Sequence, residues 1–228
     1  MQGLETLVPA ATTFVGLHLL MSWAPVRGAL AGRLKEGGFL GLYSLISLAS
    51  FAWMVIAFRK APTGAPLWTV GSALWAAASG FTLIAAILLT GSFIGNPALP
   101  DPTGRLKAPH ATRGAFVITR HPMNFAVALW ALGHMLVSPT PKGLVFAGAF
   151  LALALIGSAH QDRKKALLKP EIWADWEART GFWPFASTLR GRTRLRDLGW
   201  RIPAGGLIVW LGATWLHGGL GAGLWRWV

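Results

Sequence analysis

Residues 122–160, PMNFAVALWALGHMLVSPTPKGLVFAGAFLALALIGSAH, carry a single charge, Lys142, just after Pro139 and Pro141. Proline is tolerated in the first turn of a helix and ends the one before it, so the Ser-Pro-Thr-Pro-Lys run reads as a tight turn between two helices. Residues 122–139 and 143–160 are each 18 residues long. That length is near the lower limit for crossing ~30 Å of hydrocarbon, so the stretch predicts a helical hairpin in a bilayer.

Outward from this hairpin the same kind of segment recurs. Charge-free stretches over residues 7–26, 37–58, 67–95 and 202–225 are long enough to span, bringing the expected number to six. Of 228 residues 54% are hydrophobic and 13% charged, about half the ~25% charged fraction of soluble domains. The expected class is all-α: a polytopic transmembrane bundle of about six spans forming one domain over residues 1–228. With no basic segment before residue 7, the first span reads as a retained helix rather than a cleaved signal.

The charges are distributed to one side. Arg27, Arg33 and Lys35, then Arg105, Lys107, Arg113 and Arg120, then ten residues from Arg163 to Arg201 share one face of the span map. Arg59, Lys60, Lys142 and Arg226 share the other. Basic loops stay inside, which places both termini outside a bacterial-type inner membrane. The net charge of +13 then needs no nucleic acid, because juxtamembrane runs such as Arg190-Gly-Arg192-Thr-Arg194-Leu-Arg196 are explained by attraction to anionic lipid. Residues 162–201 form the largest cytoplasmic segment. Within it Glu171-Ile-Trp173-Ala-Asp-Trp176-Glu177 has the spacing of an interfacial helix, with the indoles facing lipid or protein.

Without a cysteine, the chain has no thiolate nucleophile, Fe–S cluster or thiolate-bound haem, and a metal falls to His, Met or carboxylate ligands. Ionisable side chains inside a span are costly and mark sites. His18 lies nine residues before Arg27, and His134 thirteen after His121. At ~1.5 Å per residue the two depths agree to about one helical turn. Two readings fit: each ring hydrogen-bonds a neighbouring helix, or the two form the bis-His set of a haem b slotted between helices. Trp130 stacks on the same face as His134, whereas His217, near the end of the last span, reads as interfacial. At the cytoplasmic boundary His110, Arg113, Arg120, His121 and Pro122 meet His160, Gln161, Asp162 and Arg163 across the hairpin. Asp162 there orients His121 or pairs with Arg120, leaving either a satisfied ion pair or a basic pocket for an anionic cofactor group.

The block from Arg120-His121-Pro122 through Trp130 to His134, with His160-Gln-Asp162-Arg163 and Val15-Gly-Leu-His18, resembles the NnrU family of integral membrane proteins, to which 15-cis-zeta-carotene isomerase is related. The resemblance runs to about Phe185. It implies haem b with His18 and His134 as ligands and His121 and His160 as weaker alternatives. The isomerase branch implies redox-gated cis–trans conversion of a lipid-soluble, carotene-like polyene; the other branch implies a denitrification-associated role in handling nitric oxide or haem. The Arg-His-Pro triplet also resembles S-adenosylmethionine-dependent membrane methyltransferases of the isoprenylcysteine type. Their paired glutamates are replaced here by His160-Gln161-Asp162, which weakens that alternative.

Overall fold

A computed structural model describes residues 4–96 and 112–218. His110, Arg105, Lys107 and the part of the sixth expected span beyond residue 218 lie outside them. Among the described residues every regular element is helical. In chain order these are α1 (Leu7–Ser22), α2 (Ala24–Lys60), α3 (Ser72–Ser92), α4 (Pro122–Val137), α5 (Pro141–Leu168), α6 (Pro170–Arg179), the single turn α7 (Ala186–Leu189) and α8 (Arg201–His217), with short 3₁₀ turns at Gly114–Val117 and Leu195–Leu198.

The hairpin forms as its sequence dictates. Pro122 opens α4 and Pro141 opens α5, positions where the missing N–H costs nothing. Between them Thr140 caps α5 by accepting from the Gly143 amide at 3.2 Å. Two expected boundaries move. α5 continues past His160 to Leu168, so the basic residues after the apolar stretch extend the same helix. The stretch 27–36, expected as a loop, is mostly helical, because Pro25 sits where a first turn accepts it and Ala, Leu, Arg and Lys favour helix. The break falls at Lys35, whose φ of 59° and ψ of 169° cost a non-glycine residue roughly 1–3 kcal/mol. An Arg27–Glu36 ion pair ties the arm across it.

α2, α1, α5, α4, α3 and α8 pack side by side in that order. α1 buries Leu7, Ala10, Ala11 and Phe14 against Met54, Ala57 and Ala149. On the far flank Gly206 of α8 allows close approach to α3, since a Cβ there would stand 2.5 Å from the Ile87 Cα. Contacts at the helix ends fix direction. Lys142 Nζ donates to the Ala61 carbonyl at 3.2 Å, and the Leu67 amide to Pro139 O at 2.8 Å. Trp210 Nε1 donates to Thr82 Oγ1 at 3.0 Å. The six apolar helices therefore run alternately up and down between a hairpin end, marked by Pro139, and a basic end, marked by Arg120.

α2, α3 and α5 are long and apolar enough to cross a membrane, and α1 and α4 are shorter apolar helices. The outer faces of α2 and α8 leave Leu45, Leu48 and Ile208 exposed, a surface suited to lipid. The chain is a helical membrane protein. At the basic end α6 lies against the bundle with Trp173 and Trp176 fully buried against Phe116, so both indoles face protein.

Candidate functional site

Three rings divide the bundle at mid-height. Phe150 of α5 packs between Phe14 of α1 and Trp130 of α4, at centroid distances of 5.5 and 5.4 Å. His18 lies one turn from Phe14 toward the basic end, and His134 one turn from Trp130 toward the hairpin end. At ~1.5 Å per residue the two histidines differ in height by about 12 Å. They line separate cavities that share only Val127 and Phe150 as walls. The structure therefore does not bring His18 and His134 together. The reason is local: α1 stops at Ser22, and Arg27, taken from sequence as marking its end, stands beyond the elbow on α2.

His134 instead faces His217 of α8, with ring centroids 6.1 Å apart and planes tilted by 31°. His217, expected to be interfacial, lines the same cavity as His134. This cavity, about 580 Å³, is walled by Trp75, Trp130, Phe146, Phe150 and Trp210. It lies within the range of small-molecule sites. Trp130 covers one side of His134 at 4.4 Å between centroids, and the Trp210–Thr82 hydrogen bond holds the indole on the opposite wall.

All three histidines of the apolar helices share one device. Nδ1 of His18, His134 and His217 lies 2.8, 2.8 and 2.7 Å from the carbonyl oxygen of Phe14, Trp130 and Ala213, each four residues earlier. A carbonyl only accepts, so Nδ1 carries the hydrogen, and in the neutral ring Nε2 keeps its lone pair. A backbone carbonyl on the second nitrogen is the usual partner of a metal-bound imidazole. Among the described residues no three His, Asp or Glu side chains gather around a common point.

The second cavity, about 320 Å³, is the polar one. His18 meets Tyr43 edge-on at 5.7 Å, and Asn124, Gln161 and Lys164 complete the lining. Asn124 is held by donating to Ser158 Oγ at 2.9 Å.

At the basic end Asp162 joins the residues expected to meet there. Arg120 donates to its Oδ2 through Nε at 2.9 Å and Nη2 at 2.6 Å, and His121 Nε2 lies 2.8 Å from Oδ1. Glu177 takes a further contact from Arg120 at 3.2 Å, and Gln161 Oε1 lies 3.1 Å from His121 Nδ1. The ion pair is largely buried, with both side chains 12% exposed. Backbone bonds stitch the surroundings: the Arg120 amide donates to Gly181 O at 2.7 Å, and the Phe185 amide to Ile118 O at 2.8 Å. Arg120, His121 and Asp162 are thus matched to one another and brace the start of α4 against α5 and α6. His160 and Arg163 turn away, into a groove on another face of α5.

A family model described as NnrU protein matches residues 6–223, from before the first helix to beyond the last described one. The chain belongs to the NnrU family. Comparison with curated proteins and with solved structures gives no match.

In this NnrU chain the residues singled out from sequence fall into four places: His134 and Trp130 in the hairpin-end cavity, His18 in the polar cavity, Arg120, His121 and Asp162 in the buried network, and His160 and Arg163 in the outer groove. Sequence reading takes Trp210 as a deep indole that packs on a cofactor or on neighbouring helices and Tyr43 only as one possible metal ligand; it passes over Asn124 and the pairing of His217 with His134. Trp210 and His217 stand seven residues apart on one face of a helix, a signal that points to a common lining.

Proposed function

We propose that the chain is a haem b protein of a bacterial-type inner membrane, with six helices crossing, both termini outside, and the cofactor held in the hairpin-end cavity by His134 and His217. The observation that carries this reading is the His134–His217 pairing across an apolar cavity, with each Nδ1 committed to its own helix. Two imidazoles that share a metal through nitrogen at ~2.0–2.1 Å have centroids about 6 Å apart, close to the 6.1 Å found here. Two histidines also suffice, because a porphyrin brings the remaining donors. The residues therefore fit the group that the family resemblance implies. The alternating direction of the six apolar helices supports the six-span map, and the basic end then faces the side expected from the charge count.

Bound there, haem would supply a redox-active iron whose axial ligands and surroundings tune its chemistry. The chain's own part is to orient and exclude. The Trp130 carbonyl fixes the tautomer and direction of His134, and Trp130, Phe150 and Trp210 keep water from the ring. His217 is the more displaceable partner, because it is more exposed than His134 and stands on α8, which packs chiefly on α3. A bundle that holds one histidine more firmly than the other suits exchange of a ligand. The apolar walls favour a lipid-soluble substrate, so cis–trans isomerisation of a carotene-like polyene is the reading we adopt; handling of nitric oxide or haem in denitrification is the alternative in the same site. Methyl transfer from S-adenosylmethionine has less support, since Arg120 is already engaged by Asp162 and Glu177.

The test is the absorption spectrum of detergent-purified protein, oxidised and dithionite-reduced, followed by addition of a cis polyene to the reduced form. A low-spin Soret band, a sharp reduced α-band and a change in the polyene's isomer ratio are expected. A haem spectrum with unchanged polyene would leave nitric oxide handling as the function. Protein that stays colourless after haem is added would overturn the proposal.

A further inference from the structure

A recess larger than the His18 and His134 cavities lies elsewhere on the bundle. A groove of about 970 Å³ runs at the basic end between the α1–α2 elbow and one face of α5. Its α5 wall changes character along the helix. Leu155, Ile156 and Ala159 come first, then His160, Arg163 and Lys164. Ile156 and Lys164 are eight residues apart, so the passage from apolar to cationic takes about 12 Å. Exposed indoles line the groove from two sides, Trp23 on the elbow at 52% and Trp183 after α6 at 60% exposure. Tryptophan so placed marks the level of lipid headgroups.

The charges in the groove are unspent. At this end Arg27, Arg120 and Arg179 each pair with a carboxylate, but among the described residues neither Arg163 nor Lys164 does. Glu36, whose field reaches Lys164, is engaged by Arg27. No carboxylate lines the groove, so nothing there would meet the ammonium of a zwitterionic headgroup. An apolar floor leading to a cationic rim matches an amphiphile with an anionic head.

We infer that this groove binds an anionic phospholipid, its phosphate against Arg163, Lys164 and His160 and its acyl chains along Leu155, Ile156 and Ala159. The site depends on α5 crossing the membrane and is independent of haem. Bound between the elbow and Trp183, the lipid would tie the α2 arm to the segment that follows α6.

Native mass spectrometry of the full chain in mild detergent, titrated with phosphatidylglycerol or phosphatidylcholine, tests the assignment. Wild type is expected to hold one phosphatidylglycerol more tightly than any phosphatidylcholine. The variant Arg163→Gln/Lys164→Gln should weaken that first adduct about thirty-fold, the factor two basic residues supply at an anionic surface. Ala159→Trp, which fills the apolar floor and leaves both cations in place, should weaken it as well, while Arg190→Gln/Arg192→Gln should not. Circular dichroism of each variant checks that it is folded. Equal loss in the Arg190/Arg192 variant, retention in the Arg163/Lys164 variant, or full competition by inorganic phosphate would overturn the proposal. These outcomes would mean unselective surface attraction, the wrong site, or a site for soluble anions respectively.

Discussion

The hairpin end and the basic end of this bundle both enclose ionisable side chains, and they treat them in opposite ways. Around Asp162 the contacts close on themselves: Arg120 and His121 reach the carboxylate, Glu177 and Gln161 take the remaining contacts, and the backbone locks the cluster between α4, α5 and α6. Around His134 and His217 each ring spends one nitrogen on its own helix and holds the other toward an apolar cavity. A largely buried ion-pair network braces a fold, whereas a half-buried pair of rings, each with one nitrogen left toward a cavity, invites a ligand. Under the proposed function the residues that look most chemical in the sequence brace the fold, and the less conspicuous His217 helps to hold the cofactor.

The first way to break this contrast is at Asp162. Asp162→Asn removes the buried carboxylate of the Arg120–Asp162 pair and leaves Arg120 only the more exposed Glu177, and removing one member of a buried pair costs about 3–5 kcal/mol. Thermal unfolding in detergent, followed by tryptophan fluorescence, should register that loss. The folded fraction should keep whatever spectrum wild type has, because no atom of the network lines the hairpin-end cavity. A spectral change at full stability would move Asp162 from bracing to binding.

A smaller effect is expected at Gly206. Gly206→Leu drives a side chain into Ile87, and overpacking of this kind costs about 1–3 kcal/mol. Pushed off α3, α8 should carry His217 away from His134, so the haem affinity measured by titration should fall along with stability. Unaltered affinity would argue that the two rings do not share a ligand.

His134→Ala removes one bond within a helix, about 0.5–1.5 kcal/mol. It should lower stability far less than Asp162→Asn while abolishing haem binding. The smallest effect belongs to His18→Ala, in the polar cavity beyond the aromatic layer, which should leave both the unfolding midpoint and the haem spectrum nearly unchanged. Together these variants separate bracing from binding by the ratio of stability loss to spectral loss.

Much of the architecture is legible in the sequence. Pro139, Pro141 and Lys142 mark the turn between α4 and α5, and the spacing of Trp173 and Trp176 marks α6. The meeting of Arg120, His121 and Asp162 follows once the hairpin is drawn. What escaped was relative height. Counting from Arg27 included the elbow at Trp23 and part of a helical arm, so His18 and His134 came out level. Measured from the true helix ends, His18 is four residues from Ser22 and His134 twelve from Pro122. Such offsets depend on where a chain bends, and hydropathy is silent about bends inside a polar stretch. The pairing of His217 with His134 could not be read for a related reason, because their cavity exists only once α3, α4 and α8 stand side by side.

The most direct test of the His134–His217 pair is the absorption spectrum of haem-loaded wild type beside His134→Ala, His217→Ala and His18→Ala, each oxidised and dithionite-reduced. The account expects no haem band in His134→Ala, a shift from low-spin to high-spin haem in His217→Ala, and a wild-type spectrum in His18→Ala. Loss of the band in His18→Ala with an unchanged His217→Ala would contradict it and return the ligand set to His18 and His134.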